Sequence, residues 1–307
     1  MVTRRAKRES LFANMRRHPA LYWMALPGVA FFLVFRYVPL LGSVIAFQDY
    51  QIFKGLFHSP WAGLKNFTYI FQYPDFFRIL KNTAIIGGGA ILYGFPAPIM
   101  LALLLGEVTQ RRLKRTLQTV YYLPHFLSWA IIGSIIFELL SLTGPVNSIR
   151  VSLGHPPVLY MQQMNSFVPI VIISSIWKEI GWGAIVYLAA IAGINPQLYE
   201  AAVVEGASRF KQTLYITIPM LMPTVTVMFL LRIGNFLNLG FEQIFMLMTP
   251  ATQSVGDILD TYVYRFGIRE GKYSITTAIG LFKSIFGMLL MLSCNWLSKR
   301  STGRGLF

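Results

Sequence analysis

The chain has 307 residues, of which 55% are apolar, 15% aromatic and 13% charged, with a net charge of +15. A soluble domain carries about 25% charged residues, so this composition excludes a disordered chain, a coiled coil and an ordinary soluble enzyme and requires a membrane as solvent. The positive charge does not indicate a nucleic-acid partner, because the basic residues sit in short clusters beside long apolar runs, as the positive-inside rule places them.

The chain opens on a basic tail, residues 1–18, with Arg4, Arg5, Lys7, Arg8, Arg16 and Arg17. An apolar run from Leu21 to Phe47 follows. It is too long for the core of a signal peptide and has no small-residue cleavage site, so it reads as a first retained span. Six runs in all, 21–47, 83–106, 119–142, 167–192, 214–240 and 276–297, reach the roughly 20 residues that a helix needs to cross a bilayer. They far exceed barrel strands in length and lack alternation, which predicts an all-α, polytopic membrane helix bundle of six transmembrane helices. The expected organisation is the tail 1–18, a transmembrane domain 19–298 with an inner loop at 193–213, and a C-terminal tail 299–307. Pro27, Pro39, Pro96, Pro98, Pro219, Pro223 and the run Gly87-Gly88-Gly89 fall in the spans. They fit close helix packing with kinks, or a cavity lined by broken helices. The loops 48–82 and 241–275 are long and aromatic, as expected of contact surfaces.

Counting charge by segment orients the chain. With the N-terminus inside, the inner segments carry 15 cations against four acids, and the outer ones eight against six. Both termini are therefore expected in the cytoplasm. The single cysteine, Cys294, allows no internal disulfide. His18, His58, His125 and His155 lie far apart and show no metal-ligand spacing, so no metal site is expected. No G-x-S-x-G, nucleophile–base set or G-x-x-x-x-G-K-[ST] loop occurs, so neither a lipid-modifying enzyme, an intramembrane protease nor a resident ATPase is indicated.

The segment 195–219 differs from the other connections. Asn195-Pro196 suits a helix start, Gln197–Val204 is helix-forming, Gly206 permits a bend, and a second short amphipathic stretch leads to Pro219. Ala201, Ala202 and Ala207 keep one face shallow, with Glu200 and Arg209 at the rim. Such a segment can receive another protein, or it can lie on lipid as an amphipathic connector.

Glu200-Ala201-Ala202, Gly206, Ile216, Ile218 and Pro219 resemble the EAA motif of ABC importer permeases; the family usually has Leu where Ile218 stands. Trp177-Lys178-Glu179, Gly181-Trp182-Gly183, Glu205-Gly206-Ala207-Ser208, Asp260-Thr261-Tyr262-Val263-Tyr264 and Gly280-Leu281-Phe282-Lys283-Ser284 are similar to the sugar-importer branch. Arg36-Tyr37-Val38-Pro39 and Ala46-Phe47-Gln48-Asp49-Tyr50 resemble its LplB-type oligosaccharide permeases, among them the permease of the alginate oligosaccharide transporter. The resemblance implies a type I ABC importer permease fold in a bacterial inner membrane. It implies that 196–212 is a coupling helix seated in a separate ATP-binding subunit, with Glu200 meeting a basic residue, Ala201, Ala202 and Ala207 giving a tight fit, and Arg209 and Pro219 completing the segment. It further implies two such subunits, which bind the ATP and Mg, a second and different permease chain, and an extracytoplasmic solute-binding protein. No cofactor is expected in this chain.

Arg36, Glu138, Lys178, Glu179, Arg232 and Lys283 fall in or near the spans. Charges there need a partner, a wet path or the interface. They suit interhelix pairing, or an electropositive path for an acidic oligosaccharide, in which Arg36 and Arg232 would grip carboxylates. Trp177 and Trp182, with Tyr121 and Tyr122, are either interfacial anchors or stacking surfaces for sugar rings. An ion-coupled secondary transporter, or an importer of a neutral sugar or other solute, is the alternative.

Overall fold

A computed structural model of the protein describes residues 19–302, with side chains through Arg300. The basic tail 1–18, including Arg4 to Arg17 and His18, and Arg304 of the C-terminal tail lie outside the described residues. Among the described residues there is no strand, only one isolated bridge between Gln48 and Trp61.

Five helices are long and apolar enough to cross a membrane: α1 (Pro19–Phe47), α2 (Phe76–Glu107), α5 (Met164–Ala192), α7 (Arg209–Gly234) and α10 (Tyr273–Thr302). The third expected span, 119–142, is not one straight helix. It is the pair α3 (Arg111–Phe126) and α4 (Trp129–Leu139), which meet at 103°. The cause is local. Pro124 cannot donate to a helical ladder, Leu123–Phe126 tightens into a 3-10 turn, and Ser128 caps a new helix by accepting from the Ile131 amide at 3.3 Å. Among the shorter helices are α6 (Pro196–Val204), α8 (Phe241–Leu247) and α9 (Leu259–Tyr264), with others at Lys65–Gln72 and Pro145–Ser152. The fifth span ends at Gly234, short of the expected 240, and turns through 235–239 into α8.

Pro39 and Pro219 do not break their helices. Each follows a π-helical segment, Leu33–Tyr37 and Thr213–Thr217, in which the Val38 and Ile218 amides donate to Leu33 and Thr213. The wider turn shifts the ladder just ahead of the residue that lacks a donor.

Three apolar clusters hold the bundle. One, around Phe76, Ile79, Tyr262 and Ile279, joins α2, α9 and α10 at the end remote from α6. A second, around Phe167, Val171, Ile244 and Leu247, joins α5 to α8. The third, around Leu101, Leu105, Ala184 and Tyr187, seats α2 on α5 near α6. The remote end is also tied by polar groups. Asp257 is fully buried, pairing with Arg265 Nη2 at 2.6 Å and accepting from Thr261 Oγ1 at 2.7 Å. Asn82 Nδ2 of α2 donates to Ser254 O at 2.9 Å and Asp257 O at 3.1 Å, and Lys283 of α10 pairs with Asp260 of α9. Burial raises the Tyr262 phenol above its ordinary range, so it stays neutral in this core. By contrast, residues 19–41 of α1 are exposed along their whole length, and only Gly42–Phe47 packs against α10.

Candidate functional site

The motif segment folds as a helix, a bend and a second helix, because its termini are capped. Asn195 Oδ1 accepts from the Gln197 amide at 3.1 Å, and Pro196 fills the first turn. At the other end, Gly206 takes φ +75°. Its amide reaches Val203 O at 3.0 Å and that of Ala207 reaches Ala202 O at 2.8 Å, a Schellman closure that favours glycine at this position. Ser208 then caps the start of α7. The segment is tethered by Tyr199 Oη to Thr217 Oγ1 at 2.9 Å, and by Glu107, which meets Arg209 Nη1 at 3.4 Å and Thr213 Oγ1 at 3.1 Å. Glu200 and Ala201 are exposed, Ala202 and Ala207 partly so. Glu200 makes no side-chain hydrogen bond or ion pair among the described residues. Beside them Val203, Val204 and Phe210 stand 62%, 87% and 76% exposed, an apolar rim unusual for an end that faces water.

α7 carries this bend at one end and Arg232 at the other. Its 26 residues span about 39 Å at 1.5 Å per residue. Arg232 lines two cavities, of about 210 Å³ and about 380 Å³. Glu179 and Ser175 of α5 line both as well; Trp129, Asn235, Asn238 and Gln243 line the smaller and Trp182 the larger. The Arg232 guanidinium makes no hydrogen bond or ion pair among the described residues, although its carbonyl accepts from the Asn235 amide at 3.2 Å. Asn235 and Asn238 are exposed and joined at 3.4 Å, and Gln243 is anchored by Val171 O at 2.7 Å and Ser174 Oγ at 3.0 Å. The guanidinium provides donors for carboxylates, and because the Gln243 nitrogen is committed, its carbonyl oxygen is left as an acceptor for a hydroxyl.

The elbow between α3 and α4 is gripped by α5. Lys178 is 7% exposed, and its Nζ donates to His125 O at 2.7 Å, Leu127 O at 2.5 Å and Pro124 O at 3.4 Å. It also lies 5.5 Å from the Trp129 ring centre. The broken helix leaves such carbonyls short of amide donors, although Pro124 O also accepts from the Leu127 amide at 3.2 Å. The glycines of Gly181-Trp182-Gly183 allow the approach: a Cβ at Gly181 would lie 2.0 Å from Tyr121 O, and one at Gly183 2.9 Å from Pro98.

The expected path residues are thus divided. Arg232 and Trp182 line a cavity. Lys178 does not, being committed to the elbow carbonyls. Trp177 is 46% exposed in an apolar groove with Tyr121, Ile173 and Ile176. Arg36 lies on the exposed part of α1 and is not brought together with Arg232. Of the other charges, Lys283 pairs with Asp260 and Glu179 with His125, while Glu138 is exposed. Asn235, Asn238, Gln243, Trp129 and His125 were not foreseen. The amides at 235 and 238 follow an apolar run at helical spacing, a signal available in the sequence; His125 gave none, since its partner lies 54 residues away.

Residues 94–303 match the family described as binding-protein-dependent transport system inner membrane components. The chain belongs to this family. As a permease of this kind, it is 44% identical to protein LplB of Bacillus subtilis (strain 168), over 97% of this chain and 94% of that one. It is 42% identical to the polygalacturonan/rhamnogalacturonan transport system permease protein YteP of the same strain, over 100% of this chain and 96% of that one. A solved bacterial alginate ABC transporter, in complex with a periplasmic protein carrying an alginate pentasaccharide, has a chain that superposes with a TM-score of 0.88 at 39% identity, covering 97% of this chain and all (100%) of that chain. The EAA-like segment, the broken span and the Arg232 cavities are therefore features of an ABC transporter permease, a multi-helix component of an inner membrane.

Proposed function

We propose that this permease passes oligosaccharides bearing uronic-acid carboxylates along the Arg232 wall, driven by ATP hydrolysis in separate subunits docked on residues 196–212. One observation carries the reading: the exposed bend at Gly206 leads straight into α7, whose other end carries the unpaired Arg232 guanidinium. A displacement of the bend must move a guanidinium some 39 Å away without any intervening hinge loop. ATP, which must bind one arrangement better than the other to do work, can thus change access at the cavity.

The relatives support the substrate class. Of the three named above, LplB carries no substrate in its name; the other two are a permease of a polygalacturonan/rhamnogalacturonan transport system and a transporter of alginate, described as an acidic polysaccharide. Arg232 supplies a fixed cation for such a substrate, with Asn235, Asn238 and Gln243 for its hydroxyls and Trp182 for a sugar face. The exposed face of α1 supports pairing with a second permease chain. The charge bias supports both termini and residues 196–212 on the cytoplasmic side, with two ATP-binding subunits there holding ATP and Mg, and a solute-binding protein at the opposite end. The chain itself supplies Glu200, Ala201, Ala202, Gly206, Ala207 and Arg209 to the docked surface, and Pro219 to the helix that carries it.

A neutral oligosaccharide is the second reading, favoured by Glu179, an anion on the same walls. Uptake by the purified complex in proteoliposomes, with its binding protein, separates them. Arg232→Gln is expected to lower uptake of uronic-acid oligomers about tenfold, the value of a charged hydrogen bond, while ATP hydrolysis remains stimulable. Unchanged uptake selects the neutral reading. A complex that transports without any ATP-binding subunit ends both.

A further inference from the structure

Glu179 poses a problem for an acidic cargo. Its carboxylate shares two cavities with Arg232, and a carboxylate facing a free guanidinium in such a space should pair with it or repel an anionic substrate. It does not pair with Arg232. Its Oε2 lies instead 2.9 Å from Nδ1 of His125, a residue of the elbow turn, with the Glu179 and His125 side chains 46% and 27% exposed. An ionised carboxylate only accepts, so Nδ1 carries the proton.

The imidazole is held more firmly than one hydrogen bond requires. Its ring stacks on Trp182 at 4.4 Å and 2°. Phe126 meets it edge-on at 5.6 Å. Lys178 holds its backbone carbonyl at 2.7 Å. Two neighbours on α5, Lys178 and Glu179, therefore fix the same residue, one through the main chain and one through the ring. Resting on the acidic-substrate reading above, we infer that His125 is a positioning residue for substrate specificity: through its Nδ1–H it holds the Glu179 carboxylate away from Arg232, leaving the guanidinium free for a substrate carboxylate. The wall is then net attractive to uronic acids although it contains an acid.

Four proteins test this: wild type, His125→Gln, Glu179→Gln and the double variant, each in the full reconstituted complex. The readout is uptake of uronic-acid oligomers, with KM and maximal rate separated. His125→Gln should raise KM roughly fivefold, the value of a half-exposed charge pair, with the maximal rate held. Adding salt should shrink that rise. Glu179→Gln alone should leave KM unchanged or lower it, and in the double variant it should return KM to the wild-type value. A merely structural His125 predicts a fall in maximal rate that Glu179→Gln does not repair; that outcome, or no change in KM, overturns the inference. Where His125→Gln does not assemble, Glu179→Gln decides alone, since a rise in its KM contradicts a masked carboxylate. Loss of the His125 effect while Arg232→Gln still impairs uptake rejects this inference only. Wild type that does not take up uronic-acid oligomers rejects the substrate reading beneath it.

Discussion

Lys178 shows what a single side chain can hide. In the sequence it is a cation within an apolar run, equally suited to a wet path or to pairing. In the fold its ammonium satisfies carbonyls 51 to 54 residues earlier, at the point where α3 stops. A buried ammonium is tolerated only when it is hydrogen-bonded, and the carbonyls need it equally. Lys178→Met keeps the volume and removes the donors. It is expected to cost roughly 3 kcal/mol, for carbonyls left buried without partners, and to lower the thermal transition of the purified complex. Wild-type thermal stability would return Lys178 to the list of path residues. No local pattern could have assigned it, because its partners exist only once the elbow forms.

At the scale of elements, the legible features were the local ones. The caps at Asn195 and Gly206 follow from neighbours within the same few residues, and both form as the sequence predicts. The bend makes its own test. A Cβ on Gly206 meets no atom within 4 Å, so substitution there acts through φ and not through a clash. Gly206→Val is expected to cost about 1–2 kcal/mol at a left-handed position and to weaken retention of the ATP-binding subunit in pull-down. Gly206→Asn, which tolerates that conformation, should retain most of it. Equal retention by all three proteins would mean that the bend does not shape the docked surface. The apolar length of 119–142 predicts one span, yet it breaks at Pro124, while Pro39 and Pro219 in similar runs break nothing. The difference is that a π-turn forms ahead of Pro39 and Pro219, whereas Pro124 sits in the 3-10 turn Leu123–Phe126.

The whole molecule is unevenly held. The end with Asp257, Arg265, Asn82, Lys283 and Asp260 has buried polar links between α2, α9 and α10. The end with α6 is mostly exposed and tethered by Tyr199 and Glu107. Local opening follows such differences. Amide hydrogen exchange is therefore expected to be slowest across 257–266 and fast across 196–212, with the latter slowing when the ATP-binding subunit docks. Uniform exchange at the two ends, or no change at 196–212 on docking, would contradict this division.

Composition and run length by themselves determined a helical membrane protein, since only helices or a closed barrel satisfy the backbone in lipid and these runs are too long for barrel strands. Capping residues at fixed short spacing determined the bend at Gly206, and the motif residues pointed to the family. Only the tertiary structure decided which charges are free. Arg232, Lys178 and Arg36 look alike in one dimension; one lines a cavity, one closes a broken helix and one lies on an unpacked face. Pairing between ions depends on distances of a few ångströms across helices distant in sequence, and those distances are set by packing, not by order along the chain.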